Sequence, residues 1–214
     1  MTMNAYSELY LDDAMQNLGD MVDYAVCDLG FEPDEFFGWF ISSGISSRFE
    51  KGNPKYVGGM SGYELAEAVL RETNVSYEKK EPSYSDFKGR EYWAGWILAY
   101  YQWITNQRFE DIFKDGLTLS TVFSMYILHE ADVSKFVEAA NEVIARNKEN
   151  RKSKLSEVRK ARGFTQQQLS DASGVSLRMI QLYEQRQNDI NKAQVNIVLN
   201  LAKALGCEIE DIIE

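Results

Sequence analysis

Apolar residues recur at helical spacing along most of the chain, and no run alternates with the period of two that a half-buried strand requires. Leu9, Leu11, Met15, Leu18, Met21, Val22, Ala25 and Leu29 line one face of a long amphipathic helix, and Gly30 supplies its stop. Pro33 sits where a first helical turn accepts it. The very apolar Phe36, Phe37, Trp39, Phe40 and Ile41 follow, with Ser42, Ser43 and Gly44 closing that helix. Lys51-Gly52-Asn53-Pro54 predicts a turn, and Ser61 with Glu64 forms a capping-box pattern that starts another helix, ending near Thr73.

Tyr92 to Ile104 is the most aromatic stretch. Tyr92, Trp96, Tyr100 and Trp103 form one stripe, and Trp93, Ile97, Tyr101 and Ile104 form a second beside it. A helix apolar on two adjoining faces is expected to be largely buried. Phe109, Ile112 and Phe113 follow, then Leu119, Val122, Phe123, Met125, Tyr126 and Leu128. A last helix of this region carries Val133, Phe136, Val137, Ala140, Val143 and Ile144.

From Arg146 to Lys154 the apolar residues give way to charge (RNKENRKSK), as at a boundary that few contacts cross. The pattern predicts an all-α fold in two domains: residues 1–147, a linker at 148–153, and residues 154–214. The connector is either a flexible link or the continuation of a helix, and its Arg146, Lys148, Arg151, Lys152 and Lys154 either graze phosphates or are simply solvated.

Beyond it, Leu155 and Val158 give a first helix its inward face and Gly163 ends it. Thr165 is placed to cap a second helix, Gln166 to Ala172, in which Leu169 points inward and the small Ser170 permits close helix crossing. Ser173-Gly174-Val175-Ser176 reads as a turn with an apolar plug and a new cap. The third helix, Leu177 to about Gln185, turns Ile180 and part of Tyr183 inward and leaves Leu177, Arg178, Gln181 and Leu182 outside.

Composition agrees with this division. Three prolines occur and none lies beyond residue 82, so the remainder is free to be helical. The distant Cys27 and Cys207, with the single His129, suggest neither a disulfide framework nor a zinc site, and two buried, reduced thiols are expected. No cofactor is expected. No segment reaches the roughly 20 apolar residues of a membrane span, so the protein is expected in the cytoplasm.

Charge makes the split sharper. The chain carries a formal −10. Residues 1–149 hold 13 basic and 25 acidic side chains, whereas residues 150–207 hold 10 and 4. The first part would repel DNA, and the second, at +6, would attract its phosphates.

The stretch TQQQLSDASGVSLRMIQLYE resembles the helix-turn-helix of the phage-repressor family, the lambda repressor and Cro-like domains. NKAQVNIVLNLAKALGCEIEDIIE resembles that family's fourth and fifth helices, with Val198, Leu201, Ala202, Leu205, Ile209 and Ile212 as core positions. The resemblance covers the final 60 or so residues. It implies a five-helix domain whose third helix enters the major groove of double-stranded operator DNA, the docking described for this motif in general.

By that resemblance, base readout falls to Ser176, Leu177, Arg178, Gln181 and Leu182. Arg178 suits guanine or a phosphate, Gln181 suits adenine, and the two leucines suit thymine methyl groups. Gln166, Asn191 and Lys192 are expected to hold phosphates. Many relatives place a glycine just after the glutamate that ends the third helix. Here Glu184 is followed by Gln185 and Arg186, which either adds a phosphate contact or prolongs the helix. So few cations per domain imply a homodimer on a two-part operator.

The first domain shows no nucleophile motif, phosphate loop or paired metal ligands, so no enzyme is expected. Gly58-Gly59-Met60-Ser61-Gly62 is either an anion cradle or an ordinary capped helix start, and His129 is either structural or an acid-base group. The aromatic helix either packs the core or lines a small-molecule pocket. The segments YLDDAMQNLGDMVDYAV, DEFFGWFISSGISSRFEKGNPKYVGGMSGYELA and LHEADVSKFVEAANEVI resemble bacterial antitoxin-like regulators. That resemblance implies a repressor whose acidic domain grips a protein toxin.

Overall fold

The computed structural model describes residues 4–83, 88–150 and 152–213. Arg151 of the expected linker and the terminal Glu214 lie outside the described residues. All regular structure among the described residues is helical, as the apolar spacing predicts. Two compact units divide the chain, Met1–Ala145 and Arg146–Glu214.

The first unit contains α1 (Leu11–Asp23), α2 (Pro33–Ser42), α3 (Ile45–Phe49), α4 (Pro54–Val57), α5 (Gly62–Glu72), α6 (Arg90–Thr105), α7 (Phe109–Lys114) and α8 (Leu119–Ser124). A 3-10 segment, Tyr126–Glu130, then leads into α9 (Val133–Asn150), which runs on past the boundary between the units.

Glycine decides how α1 and α6 pack. A Cβ on Gly95 would stand 2.2 Å from the Leu18 carbonyl oxygen, and one on Gly19 would stand 2.7 Å from the Tyr92 ring. Two backbones can approach this closely only where neither helix carries a side chain. The deepest face of α6 is therefore Ala94, Gly95, Leu98 and Ala99, all buried. The two aromatic stripes are buried in part: Ile97, Tyr101 and Trp103 enter the core as expected, whereas Tyr92, Trp93, Trp96 and Tyr100 flank the crossing and remain half-buried.

Elsewhere the core is aromatic. Phe37, Phe40, Phe49 and Phe109 pack mostly edge to face, with ring centroids 5.4 to 6.1 Å apart. That geometry matches the negative face of one ring to the positive edge of the next. The first predicted helix is also shorter than its spacing suggests. Leu9 lies on a separate 3-10 turn, Glu8–Tyr10, out of register with α1, and is 90% exposed. At the other end, α1 passes into a π-helical turn, Tyr24–Asp28, closed by a bond from Leu29 N to the Tyr24 carbonyl. Gly30, at φ +78°, ends it.

The second unit consists of α10 (Lys154–Ala161), α11 (Gln166–Ser173), α12 (Leu177–Glu184) and α13 (Val195–Leu205), with 3-10 turns at Ile190–Lys192 and Ile209–Asp211. Leu155, Leu169, Val175, Ile180, Tyr183, Val198, Leu201, Leu205 and Ile212 form its core. The fifth element of this unit is the single turn Ile209–Asp211, with Ile209 half-buried and Ile212 fully buried beneath it.

Candidate nucleic-acid interface

Each helix around the turn is started by a side-chain oxygen that accepts an otherwise unpaired backbone N–H. Ser153 caps α10 by accepting from Ser156 N at 3.1 Å. Thr165 and Gln168 form a reciprocal capping box on α11, with bonds of 3.1 and 2.8 Å. Gly174 turns the chain at φ +70°, Val175 plugs into the core, and Ser176 caps α12 by accepting from Met179 N. Ser170 adds a tie that composition alone does not reveal, donating from Oγ to the Val175 carbonyl at 2.7 Å.

The three helices are joined by a buried ion pair. Arg159 of α10 donates from Nε and one terminal nitrogen to the two carboxylate oxygens of Glu184, at 2.5 and 2.9 Å. Its other terminal nitrogen donates to the Phe164 carbonyl. Gln166 Nε2 then donates to Glu184 Oε2 at 2.7 Å. The side chains of Arg159 and Glu184 are only 8% and 6% exposed, so the pair is shielded from solvent. Burial opposes the charge on Glu184, but hydrogen bonds from Arg159, Gln166 and Ser156 outweigh it and hold its carboxyl below the ordinary value of 4.5. The bond from Glu184 raises the already high pKa of Arg159.

Neither member of this pair stands out in the sequence reading. The available signal is positional: Arg159 falls four residues after Leu155 on the inward face of α10, and Glu184 four after Ile180 on that of α12. A charge on an apolar face needs a partner, and each supplies the other.

The candidate base readers sit on α12 and its cap. Ser176 and Arg178 are exposed, whereas Leu177, Gln181 and Leu182 are half-buried. Arg178 forms no ion pair among the described residues, so its guanidinium extends from the first turn of the helix unclaimed. Gln166, at the first position of α11, is half-buried and one hydrogen of its amide is already committed to Glu184.

After α12 the chain takes the conformation that a glycine would ordinarily provide. Arg186 lies at φ +57°, in the left-handed region, and its N–H bonds to the Tyr183 carbonyl. The helix therefore stops at Glu184 and is not prolonged. Asp189 caps the following turn by accepting from Asn191 N, and Lys192 is 84% exposed with a 3.3 Å pairing to Asp189.

In the first unit, Gly62 is required by packing, since its Cβ would stand 2.5 Å from that of Asp20 on α1. Ser61 and Glu64 form the expected capping box, and Gly58 lies against Asp13. These acidic neighbours and the cap account for the glycine-rich stretch without an anion. The His129 ring stacks on Tyr126 at 4.3 Å, and its Nδ1 lies 2.7 Å from the Tyr126 carbonyl. Cys27 is exposed, not buried, because it falls on the outer side of the π-helical turn; Cys207 is half-buried. Cys27 does meet Asp23 and Glu91 within 4.8 Å, a grouping that sequence distance conceals. Although the residue is exposed, partial desolvation of the sulfur by the packed turn, together with the acids Asp23, Glu91 and Asp28, pushes its thiol up to about 12, so it is protonated at neutral pH. Among the described residues no helix is long and apolar enough to cross a membrane.

Residues 155–212 match the helix-turn-helix family model. No curated protein and no solved structure matches the chain. The second unit thus carries a helix-turn-helix of the kind used by DNA-binding transcription regulators.

Proposed function

We propose that the protein is a repressor that binds a two-part operator as a homodimer, reading bases through α12. The observation that carries this reading is the exposed Arg178 on the first turn of α12, between the cap residue Ser176 and the half-buried Gln181 one turn on. These residues project from a helix fixed from behind by the Arg159–Glu184 pair. Leu177 and Leu182 border them, suited to thymine methyl groups. Arg186, Asn191 and Lys192 supply phosphate contacts beyond α12, and Gln166, which gives one amide hydrogen to Glu184, offers the other to a phosphate. The +6 charge of residues 150–207 attracts DNA, while the acidic first unit discourages binding elsewhere on the chain.

Dimerisation follows from the small number of cations. One copy offers few phosphate contacts, and two copies spaced by about one helical turn of DNA add their contacts without further residues on either. Selecting duplexes from a random pool with the purified chain tests the reading. It predicts recovery of a sequence with two related halves, bound more weakly as salt rises. Recovery of no shared sequence contradicts it.

A second reading concerns the first unit, whose acidity and exposed Leu9, Tyr10 and Ile127 suit a basic protein partner of the toxin kind. Leu9 is 90% exposed and Ile127 76% exposed. Coexpression with the products of neighbouring genes tests it: a small protein that copurifies and loses its toxicity supports the reading, and the absence of any such pair contradicts it.

A further inference from the structure

Three of the half-buried aromatic residues of α6, Tyr92, Trp93 and Trp96, line a cleft of about 290 Å³. Trp93 and Trp96 of α6 face Tyr126 and His129 of the 3-10 segment and Phe136 of α9 across it. The walls are set by ring packing. Trp93 meets Tyr126 and Phe136 edge to face, at 5.7 and 5.6 Å, and the parallel Tyr126–His129 stack holds the opposite side. A cavity of about 150 Å³ already admits one benzene ring, so this cleft has room for a fused pair.

Its polar groups restrict what enters. Lys88, which also lines the cleft, holds its ammonium 4.5 Å from the centre of the Tyr92 ring. The Tyr92 face of the cleft is therefore already taken by a cation of the chain itself. One of the three ammonium donors goes to Asp20 at 2.6 Å, and the others can serve an acceptor on a ligand. The Tyr126 carbonyl can only accept, so His129 donates to it from Nδ1, and Nε2, 3.9 Å from a Glu130 carboxylate oxygen, is the ring nitrogen left to a polar group of a ligand.

We propose that this cleft binds a small planar aromatic acid carrying a ring N–H or hydroxyl, and that its occupancy adjusts DNA binding. The inference rests on the reading of the second unit as a DNA-binding regulator. The link between them is α9: Val133 and Phe136 in its first turns line the cleft, and the same helix runs through the unit boundary to Asn150, shortly before α10. A ligand that orders the start of α9 alters the helix from which the DNA-binding unit continues.

Calorimetric titration of the full chain with indole-3-carboxylate, indole and benzyltrimethylammonium tests the proposal. Saturable binding of indole-3-carboxylate is expected, at least tenfold tighter than that of benzyltrimethylammonium. Replacing Lys88 with Met should weaken indole-3-carboxylate about tenfold and leave uncharged indole unchanged. His129→Phe should weaken both, and Ile127→Ser, which lies outside the cleft lining, should change neither. Saturating indole-3-carboxylate should shift the affinity for the selected duplex at least threefold.

No binding of indole-3-carboxylate, or preference for the cation, overturns the assignment of the cleft. Binding without any change in DNA affinity overturns its regulatory role. In either case, duplex binding by the ligand-free chain leaves the DNA-binding reading standing; its loss is a failure of that reading alone.

Discussion

Arg159 and Glu184, 25 positions apart, meet through two hydrogen bonds in the interior of the second unit and together hold α10, α11 and α12 in one arrangement. The bidentate form matters, because the planar guanidinium fixes orientation as well as distance. α12 can present Arg178 and Gln181 consistently only if its far end is held in this way. Removing one partner leaves the other charged and buried, at a cost of about 3–5 kcal/mol. Arg159→Met or Glu184→Leu should each lower the urea midpoint of the second unit sharply. The double variant should recover most of that loss, a recovery that a urea titration of all three chains reads directly.

The same pair sets a pH dependence. The folded-state pKa of Glu184 is lowered, so its contribution to stability is fully present above the unfolded value near 4.5 and fades as pH falls through the folded value. Stability of the second unit should therefore decline on the acid side of pH 4.5. Glu184→Gln should be less stable at pH 7 and show a flatter acid limb. An unchanged acid limb in thermal melts between pH 3 and 7 counts against this assignment.

Arg186 separates stability from binding. A left-handed backbone costs a residue with a Cβ about 1 kcal/mol relative to glycine. Arg186→Gly should raise the stability of the unit by roughly 0.5–1 kcal/mol. If Arg186 also holds a phosphate, the same variant binds the operator more weakly and with a shallower salt dependence. Melting and titration on one sample check both effects.

The close crossing in the first unit gives a further expectation. Gly95→Ala would drive its new methyl into the backbone of α1, where Leu18 O lies 2.2 Å from the Cβ position. Backbone atoms yield less readily than side chains, so a loss of about 1–3 kcal/mol or more is expected in the first unit. Calorimetric unfolding that places this loss in the second unit would contradict the assignment.

These cases also explain what the sequence made legible. Helix caps, the Gly174 turn and the apolar positions of the second unit are local features, and Thr165, Ser176, Leu169 and Ile180 occupy the places that their spacing predicts. The Arg159–Glu184 pair depends on how three helices meet, which no local pattern encodes. α6 is legible only in part for a related reason: Ile97, Tyr101 and Trp103 enter the core as their spacing predicts, yet the closest packing uses Gly95, where there is no side chain to notice. Likewise, Leu9 follows the helical spacing in sequence but precedes the point where α1 begins.

The central claim is that α12 reads bases. The most direct test measures binding of the wild-type chain, Arg178→Ala, Gln181→Ala and Lys192→Ala to the selected duplex and to every single-base change in one half of it. Arg178→Ala and Gln181→Ala should each lose about 1–3 kcal/mol and become indifferent to the base at one position. Lys192→Ala should weaken all duplexes alike and reduce the salt slope by about 1. Unchanged base preference in both α12 variants would contradict the claim.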